Sequence, residues 1–291
     1  MLFNTYEPWK FAFSRQCNSI EDVEENSWGI IGVPFDSTTS YHSGTRLGPI
    51  VVREASYGLE VFNVEFNNNI NNNFYDFGDS NVIPGNCKET INIVKSNVLE
   101  LMDYKIKPIL IGGEHSITLG AIEALKRQYD DLTIVHLDAH RDLADELIGE
   151  RYSHGTVMRR IHELGVSEII QIGIRSASID EENFIKGSNI QTFKSREVEN
   201  NMDNIISYLS QIKTPIYLTI DMDVLDPSFA PNVGNPTPMG ITIKDIQDIL
   251  ESLAAKDIVG FDVVETATDK LGDITAISAA KIIYDFLTLC E

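Results

Sequence analysis

The chain is short of cysteine, of positive charge and of long apolar runs, and each shortage removes a class of protein. Its three cysteines, Cys17, Cys87 and Cys290, are too few and too scattered for a disulfide framework or a tetrahedral thiolate metal site, and they fit a reducing cytoplasm. Lysine and arginine number 23 against 44 aspartates and glutamates, a formal net charge of -21. A surface of that sign repels nucleic-acid phosphate and anionic lipid, so neither is an expected partner. Cations are: metals, cationic small molecules, or the counter-ions that keep an acidic protein in solution. No stretch approaches the roughly eighteen consecutive apolar residues of a membrane span. The start, MLFNTYEPWKFAF, interrupts its apolar residues with Glu7, Pro8 and Lys10, so no signal peptide is expected either.

What is present is enough apolar material, 43% of 291 residues, to bury a large core, and the expectation is one domain spanning 1–291. Short β-branched runs alternate with longer stretches of helical period, the pattern of βα units and a largely parallel sheet. Strands are expected at Gly29–Pro34, Phe74–Phe77, Lys107–Ile111, Leu132–Leu137, Glu168–Ile174, Gln191–Phe193, Pro215–Ile220 and Ile258–Val264. Helices are expected near Pro49–Tyr57, Cys87–Asp103, Ile117–Gln128, Thr156–Glu163, Asn201–Gln211, Thr242–Ala255 and Ile274–Leu289. The Asn-rich segment Asn67–Asn73 (NNNINNN) reads as a surface loop.

Three strand ends carry metal-ligand residue types, where open α/β sheets bind ligands. KPILI runs into GGEHS, with Glu114 and His115; LTIVHL runs into Asp138, His140 and Asp142; PIYLTI runs into Asp221 and Asp223. Residues two apart on an extended segment share a side, so each cluster aims its polar groups at one point while Arg141 and Met222 face away. A lone Asp-x-Asp at a strand end is usually a turn or a helix cap. Four aspartates and two histidines converging without matching lysines would repel one another, and buried carboxylates are tolerated when paired or metal-bound. Oxygen-rich coordination with some imidazole and no thiolate suits manganese or magnesium. Six ligands exceed one ion's share, which favours two ions bridged by carboxylates and a hydroxide held between them at neutral pH.

In order along the chain, GVPFDSTTSYHSGTRLGP, GGEHS, DAHRD, SHGT, DMDVLDPSFAP and VVET resemble the ureohydrolases: arginase, agmatinase and their relatives. The resemblance implies a three-layer αβα fold around a mostly parallel eight-stranded sheet. It implies two Mn2+ ions, one held by His115, Asp138, Asp142 and Asp221 and the other by Asp138, His140, Asp221 and Asp223, with Asp138 and Asp221 bridging. The hydroxide between them would attack a guanidinium carbon, giving urea and an amine. Asp142 would take its proton and pass it to the departing nitrogen, and His154 would shuttle protons to solvent, a task suited to an imidazole titrating near neutrality. Glu265 would hold the guanidinium of the substrate, a planar fork matching two carboxylate oxygens. Trimers or hexamers are implied by the relatives.

The substrate is read from the far end of the site. Arginases carry an asparagine two positions after this aspartate that contacts the substrate's carboxylate; here that position is Ala144. Asp145, Glu146 and Glu150 nearby would disfavour a carboxylate, so agmatine, giving putrescine and urea, fits better than guanidinobutyrate, arginine or formiminoglutamate. The acids also suit a merely solvated loop face. Departures from common agmatinase patterns fall at Arg141 and at Tyr41, His42 and Ser43. His136 is expected to be a satisfied buried histidine rather than a ligand, His162 to be solvated, and Glu114 to hydrogen-bond a metal ligand. Asp36 and Arg46 suit a structural salt bridge as well as a part in shaping the pocket. A non-catalytic acidic metal-binding protein is the reading from another class. Its closest form, a calcium loop starting at Asp221, has Asp226 where glycine is needed and Asn232 where glutamate is needed.

Overall fold

The computed structural model describes residues 9–289, so the first eight residues, Cys290 and Glu291 lie outside it. In chain order its elements begin with β1 (Trp28–Val33), α1 (Gly48–Ser56), the short pair β2 (Phe62–Asn63) and β3 (Asn68–Asn69), β4 (Phe74–Asp79) and α2 (Cys87–Asp103). Then come β5 (Lys107–Gly112), α3 (Thr118–Leu125), β6 (Thr133–Leu137), α4 (Val157–Glu163), β7 (Glu168–Ile174), α5 (Ile179–Phe184) and β8 (Ile190–Lys194). The chain continues through α6 (Ser195–Asn200), α7 (Met202–Ser210), β9 (Ile216–Asp221), α8 (Ile243–Leu253), β10 (Ile258–Val264) and α9 (Ile274–Leu289).

Unbroken apolar runs cannot offer water a polar face, and β1, β6, β9 and β10 are buried along their whole length. The large sheet runs β4-β1-β5-β10-β9-β6-β7-β8 with every neighbouring pair parallel. α2, α3 and α4 cover one face around Val94, Val98, Ile122 and Ile161, while α1, α7, α8 and α9 cover the other around Val52, Leu209, Ile249 and Ile283. The result is the three-layer αβα architecture expected. No helix among the described residues is long and apolar enough to cross a membrane.

All eight expected strands form. The helices α5 and α6 were not legible, because six residues make less than two turns and cannot show a helical period. α5 is instead marked by a capping box, in which Ser178 and Glu181 satisfy each other's backbone N–H. The Asn-rich segment is not wholly loop. Asn68 and Asn69 pair antiparallel with Asn63 and Phe62, and Ile70 between the asparagines is buried in the core.

The strand order reverses where the chain leaves β5, skips two positions to β6, and later returns to fill the gap with β9 and β10. Carboxyl ends at such a switch point form a crevice. Register sets the level: Leu137 pairs with Ile220, so Asp138 and Asp221 emerge side by side, and Asp221 is level with Val264, one residue before Glu265. Gly113 allows β5 to turn here against the Phe35 backbone, since a Cβ would fall 2.0 Å from the Phe35 carbonyl oxygen. Gly113→Ala should therefore cost about 1–3 kcal/mol of stability through overpacking. Urea melts of metal-free protein check this, and an unchanged midpoint would contradict the tight turn.

Candidate metal centre and its cavity

His115 opens the turn after β5; Asp138, His140 and Asp142 follow β6; Asp221 ends β9 and Asp223 follows it; Glu265 follows β10. The Nδ1 of His115 is buried without a hydrogen-bond partner. It lies 3.3 Å from Asp138 Oδ2, 3.3 Å from Asp142 Oδ2 and 3.2 Å from Asp221 Oδ2. Ligand atoms about 2.1–2.2 Å from one ion and at right angles to each other stand roughly 3 Å apart, so this spacing is that of a coordination shell. A second cluster joins Asp138, His140 and Asp223, with His140 Nδ1 2.9 Å from Asp223 Oδ2 and 3.5 Å from Asp138 Oδ1. Asp138 belongs to both. Asp221, proposed to bridge as well, stands with the first cluster, and its Oδ1 accepts from the Asp223 N–H at 2.8 Å.

The rings are aimed by their far nitrogens. His115 Nε2 lies 2.9 Å from Thr219 Oγ1 and His140 Nε2 lies 3.3 Å from Thr237 Oγ1, which leaves each Nδ1 facing the carboxylates. His136 also stands close, but its Nε2 is engaged with Asp138 Oδ2 at 2.8 Å and its Nδ1 with Gln171, as a satisfied buried histidine should be.

The electrostatics are those of a cation trap. Burial, then the Asp223 and Asp138 charges, raise Asp221; burial, then the Asp138 charge, push Asp142 and Asp223 up, Asp142 to about 7. Burial works against charge on Asp138 too, yet its three histidine neighbours hold it well below the usual range. Burial also opposes charge on His140, but Asp223 and Asp138 outweigh it and raise the ring to about 12. His115 is likewise raised by Asp138, Asp142 and Asp221 against the cost of burial. Both imidazoles thus take up protons that a metal would displace, and oxygen plus imidazole donors suit hard or borderline divalent ions. The residues fit a binuclear metal centre.

The centre forms the floor of a cavity of about 730 Å³ lined by His154, Glu265, Tyr41, Ala144, Asp145, Glu146 and Asp180, among others. Glu265 has a φ of 68° and Asp142 a φ of 54°, left-handed conformations that most side chains avoid. Neighbours hold both. The Glu265 N–H donates to the Gly113 carbonyl at 2.9 Å and its Oε1 accepts from the His115 N–H at 2.8 Å; the Asp142 carbonyl accepts from Met158 and Arg159 at the start of α4. Gly234 gives the Glu265 carboxylate its room, since a Cβ there would lie 2.4 Å from Oε2. Arg175 ties the Asp223 loop down, donating to the carbonyls of Asp223 at 2.6 Å, Thr237 at 2.7 Å and Val224 at 3.0 Å. Sequence reading missed both residues. The IGIRS arginine, set just past a buried strand in an acidic chain, was the available signal.

Three expectations need correction. Glu114 touches no candidate ligand; its carboxylate accepts from the Thr38 N–H and hydroxyl and from the Ser116 hydroxyl, and so fixes the loop over His154. His162 is not fully solvated but packs edge-on against Phe184, 5.0 Å between ring centres. His154 does not titrate near neutrality. Burial, then the charges of His115 and His140, lower it to about 4, and its ring nitrogens lie 3.3 Å from Thr38 Oγ1 and 3.2 Å from Ser40 Oγ. Arg141 does face away from the centre, and Arg46 pairs with Asp36 at 2.8 Å.

A model described as the Arginase family matches residues 26–288. The chain is 38% identical over 284 residues to the N(1)-aminopropylagmatine ureohydrolase of Thermococcus kodakarensis, covering 96% of this chain and 94% of that one. It is 34% identical over 288 residues to the agmatinase of Pyrococcus horikoshii, covering 98% and 97%. The solved agmatine ureohydrolase of Thermoplasma volcanium superposes with a TM-score of 0.87 at 32% identity, over 98% of this chain and 94% of that one. The chain therefore belongs to the arginase family. Within it, it is an agmatinase-like ureohydrolase.

The low position of His154 has a thermodynamic sign. The unfolded chain binds a proton there at the ordinary value of 6.5 and the native state only near 4, so native stability falls as pH drops through that window. His154→Asn should lose less stability than wild type between pH 7 and pH 5. Equal losses in paired urea melts would contradict the burial of a neutral ring.

Proposed function

We propose that this chain, acting as one catalytic domain, is a manganese-dependent amidinohydrolase that converts agmatine to putrescine and urea. The observation that carries this is Glu265, a buried carboxylate on the wall of an acidic cavity whose floor is the His/Asp cluster. The ligands would be His115, Asp138, Asp142 and Asp221 for one ion and Asp138, His140, Asp221 and Asp223 for the other. When bound, two such ions would supply Lewis acidity that brings the pKa of water towards neutrality, and with it a nucleophile for the guanidinium carbon.

The side chains do the rest. Glu265 pairs with the guanidinium, its two carboxylate oxygens matching the planar fork, and so holds the guanidinium carbon over the floor. Asp142 takes up a proton and delivers it to the departing amine, whose poor leaving ability needs that proton. His154, held by Thr38 and Ser40, accepts and returns protons at the cavity wall. At the far end Ala144 offers no donor side chain for a substrate carboxylate. The Arg159 guanidinium is stacked 3.6 Å from the Phe184 ring centre, and the Arg141 side chain is buried elsewhere. Glu146 and Asp180 line the same rim, whereas Asp145 is already paired with Arg160 at 2.6 Å. An ammonium suits this end better than a carboxylate.

A second substrate is favoured by the size of the cavity. About 730 Å³ is ample for a longer cation, and the acidic rim would take a second ammonium, as in the N(1)-aminopropylagmatine of the relative's name. Urea release with added Mn2+ from agmatine, N(1)-aminopropylagmatine, guanidinobutyrate, arginine and formiminoglutamate separates these. The expected order places the two polyamine guanidines first; a preference for a carboxylate-bearing substrate would overturn the assignment.

Asp142→Asn should lower kcat by about 10²–10⁴-fold and weaken one Mn2+. His154→Asn should slow turnover with both ions retained, read as metal content per chain beside the rate. Near-normal turnover of Asp142→Asn at saturating Mn2+ would remove Asp142 from its role.

A further inference from the structure

The side chain of Arg141, between His140 and Asp142 in sequence, turns from the centre into the protein and is almost wholly buried. Its Nε donates to Glu182 Oε1 at 2.8 Å, and its Nη1 donates to Gln171 Oε1 at 2.9 Å and Thr192 Oγ1 at 3.0 Å. Gln171 is gripped from both ends, for its Nε2 donates to the Arg141 carbonyl at 2.8 Å and lies 3.2 Å from His136 Nδ1. His136, Gln171 and Thr192 sit at one level across β6, β7 and β8. His136 Nε2 in turn lies 2.8 Å from Asp138 Oδ2.

The donor inventory fixes every direction in this chain of contacts. A guanidinium only donates, so the Gln171 oxygen faces Arg141 and the amide N–H groups face the Arg141 carbonyl and His136. Nδ1 of His136 must then accept, which puts the imidazole proton on Nε2, aimed at Asp138. We propose that Arg141 is a positioning residue. Through Gln171 it selects the His136 tautomer that donates to Asp138 and so holds the carboxylate shared by the two clusters. This rests on Asp138 being a metal ligand.

Partners that orient a metal ligand typically change affinity by about 10–100-fold. The test titrates Mn2+ into metal-free protein by calorimetry, with the folded state checked by circular dichroism. Gln171→Met should weaken Mn2+ binding at least tenfold, and Arg141→Met should weaken it less because the Arg141 carbonyl still holds the amide. Arg141→Lys should recover part of the loss. Thr192→Val, which removes only the Arg141 contact that leads nowhere near Asp138, should bind as wild type. In the weakened variants kcat should fall while KM for agmatine holds. If Gln171→Met does not fold, His136→Phe removes the Nε2 donor to Asp138 itself, with the same expected loss.

Wild-type Mn2+ affinity in Gln171→Met or His136→Phe would overturn the proposal, as would an equal loss in Thr192→Val, which would make Arg141 merely structural. Absence of Mn2+ binding by the wild type would instead overturn the metal-centre assignment beneath it.

Discussion

Asp138, Asp142, Asp221, Asp223 and Glu265 are buried together at the ends of β6, β9 and β10, and their mutual repulsion is the constraint around which this fold is arranged. Uncompensated buried charge is costly, and the protein meets that cost in two ways. Backbone N–H groups point inward: those of His115, Ala139, His140 and Asp223 each donate to one of these carboxylates. The remaining charge is left for cations, and in their absence His115 and His140 are drawn upward to hold protons in their stead. A site built this way is destabilised when empty of positive charge, so metal binding and folding are coupled through it.

The frame that resists this repulsion is backbone geometry reinforced from outside. The left-handed Asp142 and Glu265 each cost about 1–3 kcal/mol and persist because α4, Gly113 and the His115 amide hold them there. Arg175 anchors the loop after β9 through several carbonyls at once, and the pair Gly113 and Gly234 supplies the close approaches that let the β5 turn and Glu265 converge. A parallel sheet contributes the rest, since its register delivers Asp138 and Asp221 to one level without local sequence needing to specify it.

Much of this was legible from the chain. Asp138, His140 and Asp142 announced themselves because alternate residues on an extended segment share a side, and the strands were plain because apolar runs of six or seven residues in a βα alternation have few other uses. Glu265 was different. It follows an ordinary buried strand with no partner two residues away, and only the likeness of VVET to a known family singled it out. What the sequence could not show depends on distant neighbours. The loop at Thr38 and Ser40 that desolvates His154 lies more than a hundred residues away in the chain, and Glu114 turned out to brace that loop. Arg141 looked like a harmless outward residue until Gln171 and Thr192 arrived beside it from two other strands.

The central claim is that Asp138 is shared by two metal ions, one beside His115 and one beside His140. Anomalous diffraction at the manganese edge from crystals grown with Mn2+ addresses it directly. Two peaks about 3.5–4 Å apart, flanking the Asp138 carboxylate, are the predicted result. A single peak, or peaks away from both histidines, would contradict it.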